Sequence, residues 1–183
     1  MILIELDGPG AEPVTVAEAK AFARIERDDE DALLALLISA ARQSVEQATA
    51  LVLARRRMRI CADEVPRDRV LDLRKGPVRA IESVTGYDSE GTASVAADGA
   101  TIASDGRRIR LGEEPRDVCG GVELTVEIGH DPAEVSEPLR LAILQITAAS
   151  FEVRAAVLPG QQPGIVPATA AALVAPFRRV SLR

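Results

Sequence analysis

A chain of 183 residues is long enough for one core, or for one core with an arm, and a domain of that size buries roughly 70% of its unfolded surface. Apolar residues make up 47% and charged residues 27%, a globular composition, and 28 acidic against 22 basic residues leave a net charge of −6. That balance argues against a surface that coats itself onto nucleic acid or anionic lipid, and four aromatics, Phe22, Tyr87, Phe151 and Phe177, are too few for a base-stacking platform.

The N-terminus, Met1 to Asp7, has no basic stretch and reaches acids within seven residues, so it reads as neither signal nor transit peptide, and the expected location is the cytoplasm. Thr15-Val16-Ala17-Glu18 is a capping box that opens a helix over about 15–24. The acids Asp28, Asp29, Glu30 and Asp31 then open a longer helix over about 29–50, their charge suited to the dipole; Glu26 joins them in a cluster without the spaced glycine loop of a calcium site. The apolar residues of this helix, Leu33 to Ala48, fill an arc of about 200°, twice an ordinary core stripe, which predicts contact with more than one apolar surface.

From 52 to 130 alternation and turn signals predict an inserted antiparallel sheet of about five strands. Met58, Ile60 and Ala62 alternate with Arg57, Arg59 and Cys61; residues 70–73, 78–87 and 122–128 read as further strands. Asp105-Gly106 marks a hairpin, Ser89-Glu90-Gly91 a second turn, and Gly76-Pro77 a break. In a strand Arg55, Arg57 and Arg59 share one face, predicting a solvated or partner-facing charged edge, with phosphate contact as the alternative.

A third helix begins at Ser136-Glu137-Pro138 and runs to about 154. Its apolar residues form two opposed clusters: Leu139, Ala142, Ile143, Ile146 and Val153 against Leu141, Leu144, Ala148 and Phe151. Such a helix is sandwiched, either inside its own subunit or with one face at a subunit contact. Its uncharged run, 141–151, is about half of the roughly 20 residues a bilayer span requires. Residues 155–183 contain four prolines and no acid and read as an extended arm with a short helix over 169–175. Its end, Ala175-Pro176-Phe177-Arg178-Arg179, combines a rigid turn, an aromatic anchor and two guanidinium groups, the composition of an interface hot spot, unless it folds back to close the core.

Chemistry-bearing motifs are scarce. His130 is the only histidine, Ser136, Ser150 and Ser181 lack a nucleophile-elbow context, and no phosphate-binding glycine loop occurs. Cys61 and Cys119 lack paired metal or redox spacing and read as free buried thiols. No catalytic residue, metal site or cofactor is expected.

The order of segments is informative as a whole: Pro13 to Lys20, Asp28 to Leu34, Gly76-Pro77-Val78 with Ser83-Val84-Thr85, Glu137 to Leu144, and Leu173 to Arg179. In this order they resemble the head-to-tail connector (adaptor) proteins of long-tailed phages, prophages and gene transfer agents. The resemblance implies a non-enzymatic subunit of a ring, commonly twelvefold, between portal protein and tail stopper protein, with a channel through which double-stranded DNA passes and no membrane partner. It implies assembly in the bacterial cytoplasm and a final place at the head-tail junction of a virion or virion-like particle. The apolar excess supplies candidate contacts: Leu34, Ile38, Leu141, Leu144 and Phe151 between subunits, and Leu173, Pro176, Phe177, Arg178 and Arg179 toward the portal or a neighbouring subunit.

The expected architecture is therefore α+β, with three helices and an inserted sheet in a connector domain of 1–154 and a C-terminal arm of 155–183, whose removal from 168 onward leaves a folded subunit. A tail-completion or stopper protein, and a small hydrolase using scattered carboxylates and His130, are the rival readings.

Overall fold

The computed structural model describes residues 1–94, 99–112, 120–156 and 166–179. The chain is α+β and divides into two compact units, one of residues 1–10 and 54–130, the other of 11–53 and 131–183. The first is made of strands and the second of helices.

In the helical unit, α1 (Val16–Ala23) starts at the predicted capping box: Thr15 Oγ1 accepts from the Glu18 amide at 3.2 Å while Glu18 Oε2 accepts from the Thr15 amide at 2.8 Å. It ends at Arg24, in the left-handed region at φ 55°. α2 (Asp31–Thr49) begins without a side-chain cap. Its acids are instead ion-pair partners: Lys20 bridges Asp28 and Asp31, and Arg27 reaches Glu30 at 2.9 Å and Asp29 at 3.4 Å. α3 (Glu137–Ala156) and α4 (Ala168–Val174) complete the unit, and a 3-10 turn over Ala175–Phe177 follows α4.

The core of this unit gathers Val14, Ala19, Ile38, Ala41, Val45, Leu139, Ala142, Ile143, Ile146, Ala170 and Val174. α2 buries one stripe, Leu34, Ile38, Ala41, Arg42, Val45, Glu46 and Thr49, and leaves Leu36 65% exposed. Two of its buried positions are charged. Arg42, 1% exposed, donates Nε to Glu12 at 2.8 Å and Nη1 to Glu46 at 2.9 Å, and Glu46 Oε1 accepts the Leu53 amide at 2.7 Å. This network satisfies the buried charges and ties the chain after α2 back to the helix. Part of the expected arm, residues 168–177, is folded back: α4 packs on α3 and sends Ala170 and Val174 into the core. Cutting at 168 therefore strips buried apolar surface from the helical unit, which corrects the expectation of an independent arm there.

The strand unit holds two antiparallel sheets. The larger has the order β1-β2-β8-β4-β5, from β1 (Ile2–Glu5), β2 (Arg56–Ala62), β4 (Val78–Tyr87), β5 (Ala93–Ser94) and β8 (Val122–Ile128). The smaller has the order β3-β7-β6, from β3 (Val70–Asp72), β6 (Thr101–Ile102) and β7 (Arg108–Arg110). β2 and β8 pair from Arg56↔Ile128 to Ala62↔Val122, so Met58, Ile60, Leu124 and Val126 fall on the buried face and Arg57, Arg59 and Glu127 on the other. The expected strands and the Asp105-Gly106 hairpin are present, as is the turn at 88–92, where Asp88 Oδ1 accepts the amides of Glu90 and Thr92 and Gly91 takes φ 79°. The single sheet expected is two, and residues 2–5 add an unexpected strand. The Gly76-Pro77 peptide is cis.

Removing one member of the buried Arg42 network leaves charge and an amide uncompensated. Glu46→Ala should lower unfolding free energy by about 3 kcal/mol, measured by urea denaturation; a loss indistinguishable from that of an exposed Glu90→Ala would refute the role given to the network.

Candidate functional site

Three elements of the helical unit enclose a groove of about 620 Å³, lined by Glu18, Ala21 and Phe22 of α1, Glu137, Pro138, Arg140, Leu141 and Leu144 of α3, and Leu173 of α4. Its geometry begins with Arg140. The guanidinium donates Nη1 to the Pro13 carbonyl and Nη2 to Glu18 Oε1, and lies 3.4 Å from the Pro132 carbonyl and 3.9 Å from Glu137. Glu18 thus spends one oxygen on the α1 cap and the other on α3. Amide donation from Thr15, then its hydroxyl at 2.9 Å and the Arg140 charge, hold the Glu18 carboxyl below the usual carboxylate range against the opposing effect of burial.

Above this polar floor the walls are apolar. Phe22 is 44% and Leu141 37% exposed, whereas Leu144 and Leu173 are half-buried against the unit's own core; Phe177, outside the lining, is half-buried there too. The lining has no serine, cysteine, histidine, lysine or tyrosine. It offers shape and apolar area rather than a nucleophile with an adjacent base.

The structure brings three of the sequence-predicted contact residues, Leu141, Leu144 and Leu173, to this one groove. Pro176, Arg178 and Arg179 are exposed and Phe151 is half-buried, none of them in the groove lining. Leu34 and Ile38 are 0% and 1% exposed and belong to the subunit interior, because the doubled apolar arc of α2 turns only one stripe inward and these two lie on it; the leucine that α2 leaves exposed is Leu36. Phe22 escaped notice as a contact. The available signal was its position, an aromatic beside Glu18 and off the Val16, Ala19 and Ala23 side of a short helix.

The arginines of β2 do not line an edge, since β2 lies between β1 and β8. Each is met by a carboxylate: Arg56 by Glu5 at 3.6 Å, Arg57 by Asp7 at 2.5 Å and Glu82 at 3.7 Å, Arg59 by Glu123 at 4.0 Å, as is Arg55 just before the strand, by Glu127 at 3.6 Å. Cys61 is a half-buried free thiol pushed up in pKa by burial and by Glu123 beside it; Cys119 lies outside the described residues. His130 is half-buried just beyond β8, after Gly129 at φ 115°. Among the described residues no group of three or more His, Cys, Asp or Glu is placed to hold a metal ion, and no helix is long and apolar enough to cross a membrane.

An α+β chain with an exposed apolar groove on its helices and a charge-laced sheet has the character of an assembly subunit, and the comparisons define which kind. Residues 13–106, from the α1 cap through the hairpin after β6, match the family described as "Phage gp6-like head-tail connector protein", and the chain belongs to that family. Its fold is similar over its full length to chains of gene transfer agent particles. One, from the virion of a native particle, has TM-score 0.80 at 23% identity; another, from the neck of a native particle computed with C12 symmetry, has 0.79 at 22%; a third, from the neck of an empty particle computed with C6 symmetry, has 0.78 at 23%. In each case 100% of this chain and 98% of the other are covered. No curated protein matches the sequence.

The depressed Glu18 pKa has a defined consequence for stability. A carboxylate whose pKa is lower folded than unfolded contributes stability above its unfolded value, about 4.3, and loses that contribution as pH falls through the folded value. Glu18→Gln should therefore be less stable than the parent at pH 7, with the gap closing as acid protonates the folded carboxylate. Thermal melts from pH 7 down into acid test this; a gap that does not narrow as pH falls would contradict it.

Proposed function

We propose that the chain is a connector subunit that assembles as a closed, twelvefold ring between the portal and the tail stopper and leaves a channel for double-stranded DNA. Its function is structural, not enzymatic, and its place is the head-tail junction of a virion or virion-like particle built in the bacterial cytoplasm. One observation carries this reading: family membership joined to a fold shared end to end with chains of particles whose necks were computed with sixfold and twelvefold symmetry. The rival stopper and hydrolase readings lack a comparable observation.

A ring closes through heterologous contacts, in which one patch meets a different patch on the next copy. The helical unit carries two. One is the groove with Phe22, Leu141, Leu144 and Leu173; the other is the exposed face of α2, where Leu36 projects among the uncharged Ala32, Ala35, Ala40 and Gln43. The occupant of the groove is Leu36 of a second copy, an apolar knob for an apolar hole. Pro176, Arg178 and Arg179, exposed beyond α4, together with the half-buried Phe177, are then contacts toward the portal or a neighbouring subunit, and the half-buried Phe151 is a contact between subunits.

Mass measurement of the protein mixed with its portal complex tests the ring. The parent should join as a twelvefold ring. Leu36→Asp and Leu141→Asp should each stay folded and fail to form it, and an equimolar mixture of the two should stop at dimers, because one intact knob can still meet one intact groove. Unaltered rings from either variant would refute the contact, and a parent that never joins the portal would refute the connector assignment. Arg178→Glu is a sounder probe of portal binding than truncation at 168; it should weaken portal attachment several-fold while leaving the thermal midpoint unchanged.

A further inference from the structure

The groove of the helical unit lies beside the point where the chain leaves α4. Leu173 lines the groove, and Phe177, four residues on, packs with Leu173 against the same core cluster, as residues on one helix face do. The 3-10 turn that carries Phe177 ends at Arg178, whose φ of −67° and ψ of 132° are extended. Arg178 therefore stands about 8 Å along the helix axis from a groove wall. Extended chain covers about 3.3 Å per residue, so residues 179–183 span about 16 Å and reach the groove with length to spare. Residues 157–165 start far from it, because they follow α3 at Ala156, about 18 Å of helix beyond Leu144.

The sequence that follows α4 matches the groove in chemistry. Arg178-Arg179-Val180-Ser181-Leu182-Arg183 holds three arginines and no acid. In an extended chain Val180 and Leu182 fall on one side, with Ser181 and Arg183 on the other. The groove presents Phe22 and Leu141, 44% and 37% exposed, as apolar walls. Of its two acids, Glu18 is engaged by Thr15 and Arg140, whereas the Glu137 side chain is 92% exposed with Arg140 no nearer than 3.9 Å. Two aliphatic side chains thus meet an apolar cleft, and a cation meets the acid on its rim.

We propose that in the uncombined subunit Val180 and Leu182 occupy the groove of their own chain, with Arg183 toward Glu137, and that Leu36 of a second copy must displace them before copies join. The short link from Leu173 favours the chain's own segment, since tethering gives it an effective concentration that a second copy in dilute solution does not reach. Burial of two aliphatic side chains and the ordering of four residues oppose each other with similar size, so the strap is marginal and can be displaced. A portal contact at Arg178 draws on the same segment, and binding the portal then uncovers the surface that joins copies. This gating rests on the knob-and-groove contact proposed above; the docking itself does not.

The chain has no tryptophan, so Leu182→Trp in the full chain supplies a single fluorescent reporter of docking. Its emission should lie at shorter wavelength than that of a solvated indole and resist iodide quenching, equally at about 1 and about 50 μM protein, as a tethered contact requires. Adding Leu141→Asp should return both readings to solvated values; should that variant misfold, Phe22→Ala serves the same end. A reporter that is solvated in the parent groove, or indifferent to both groove variants, overturns the docking, as does protection that appears only at the higher concentration. Sedimentation tests the gating. Leu182→Asp should self-associate at about tenfold lower concentration than the parent, the factor expected where the strap leaves about a tenth of the grooves open. Self-association at the parent's concentration overturns the gating. A docked reporter in a chain that neither self-associates nor joins a portal defeats the ring contact and leaves the docking standing; rings formed by a chain whose reporter is solvated as a monomer defeat this inference alone.

Discussion

Both oxygens of the Glu18 carboxylate are committed, one to the amide and hydroxyl of Thr15 and the other to the guanidinium of Arg140, and the exposed surface of the helical unit depends on that division. A cap by itself fixes where a helix starts; a salt link by itself joins two side chains of uncertain direction. Sharing one short side chain between the two tasks fixes the start of α1 relative to the flank of α3. Arg140 extends the constraint by also donating to the Pro13 carbonyl, so the segment entering α1 is held as well. With those elements fixed, Phe22 and Leu141 both line an open groove, and apolar surface that a solitary molecule would tend to bury stays in solvent.

The second charged network serves a different end. Arg42 and Glu46 occupy positions where spacing alone would put leucine, and their mutual pairing, with Glu12 and the Leu53 amide, makes the burial tolerable. A buried pair of this kind seldom adds much net stability over an apolar replacement, but it penalises any packing that separates its members. In the helical unit that penalty fixes the rotation of α2, and with it which leucines face inward. Leu34 and Ile38 are consumed by the interior while Leu36 is left outside.

The two units also divide surface chemistry. Exposed apolar area on the helices is concentrated at the groove and at Leu36; the strand unit exposes Ile2 and Ile4 on β1 and, on the larger sheet, arginines met by carboxylates. Exposed apolar area of this kind is what union of copies in the proposed ring calls for.

Much of this was written locally. The capping box at Thr15 and Glu18, the alternation of Met58, Ile60 and Ala62, the Asp105-Gly106 hairpin and the two-sided apolar pattern of α3 each depend on residues within a turn or two of one another, so the sequence alone establishes an α+β chain, its helices and most of its strands. Segment order further sufficed to suggest the family. What the sequence could not express were relations between distant positions. β1 has no alternating signature and becomes a strand only because β2 offers it a free edge; β2 loses its predicted edge for the same reason. The groove needs Phe22, Leu141 and Leu173, residues some 120 to 150 positions apart at the extremes, to meet around Arg140. And a helix with apolar residues over half its circumference does not announce which half will be buried: only packing, steered here by where Arg42 could find its carboxylates, decided that Leu34 and Ile38 go in and Leu36 stays out.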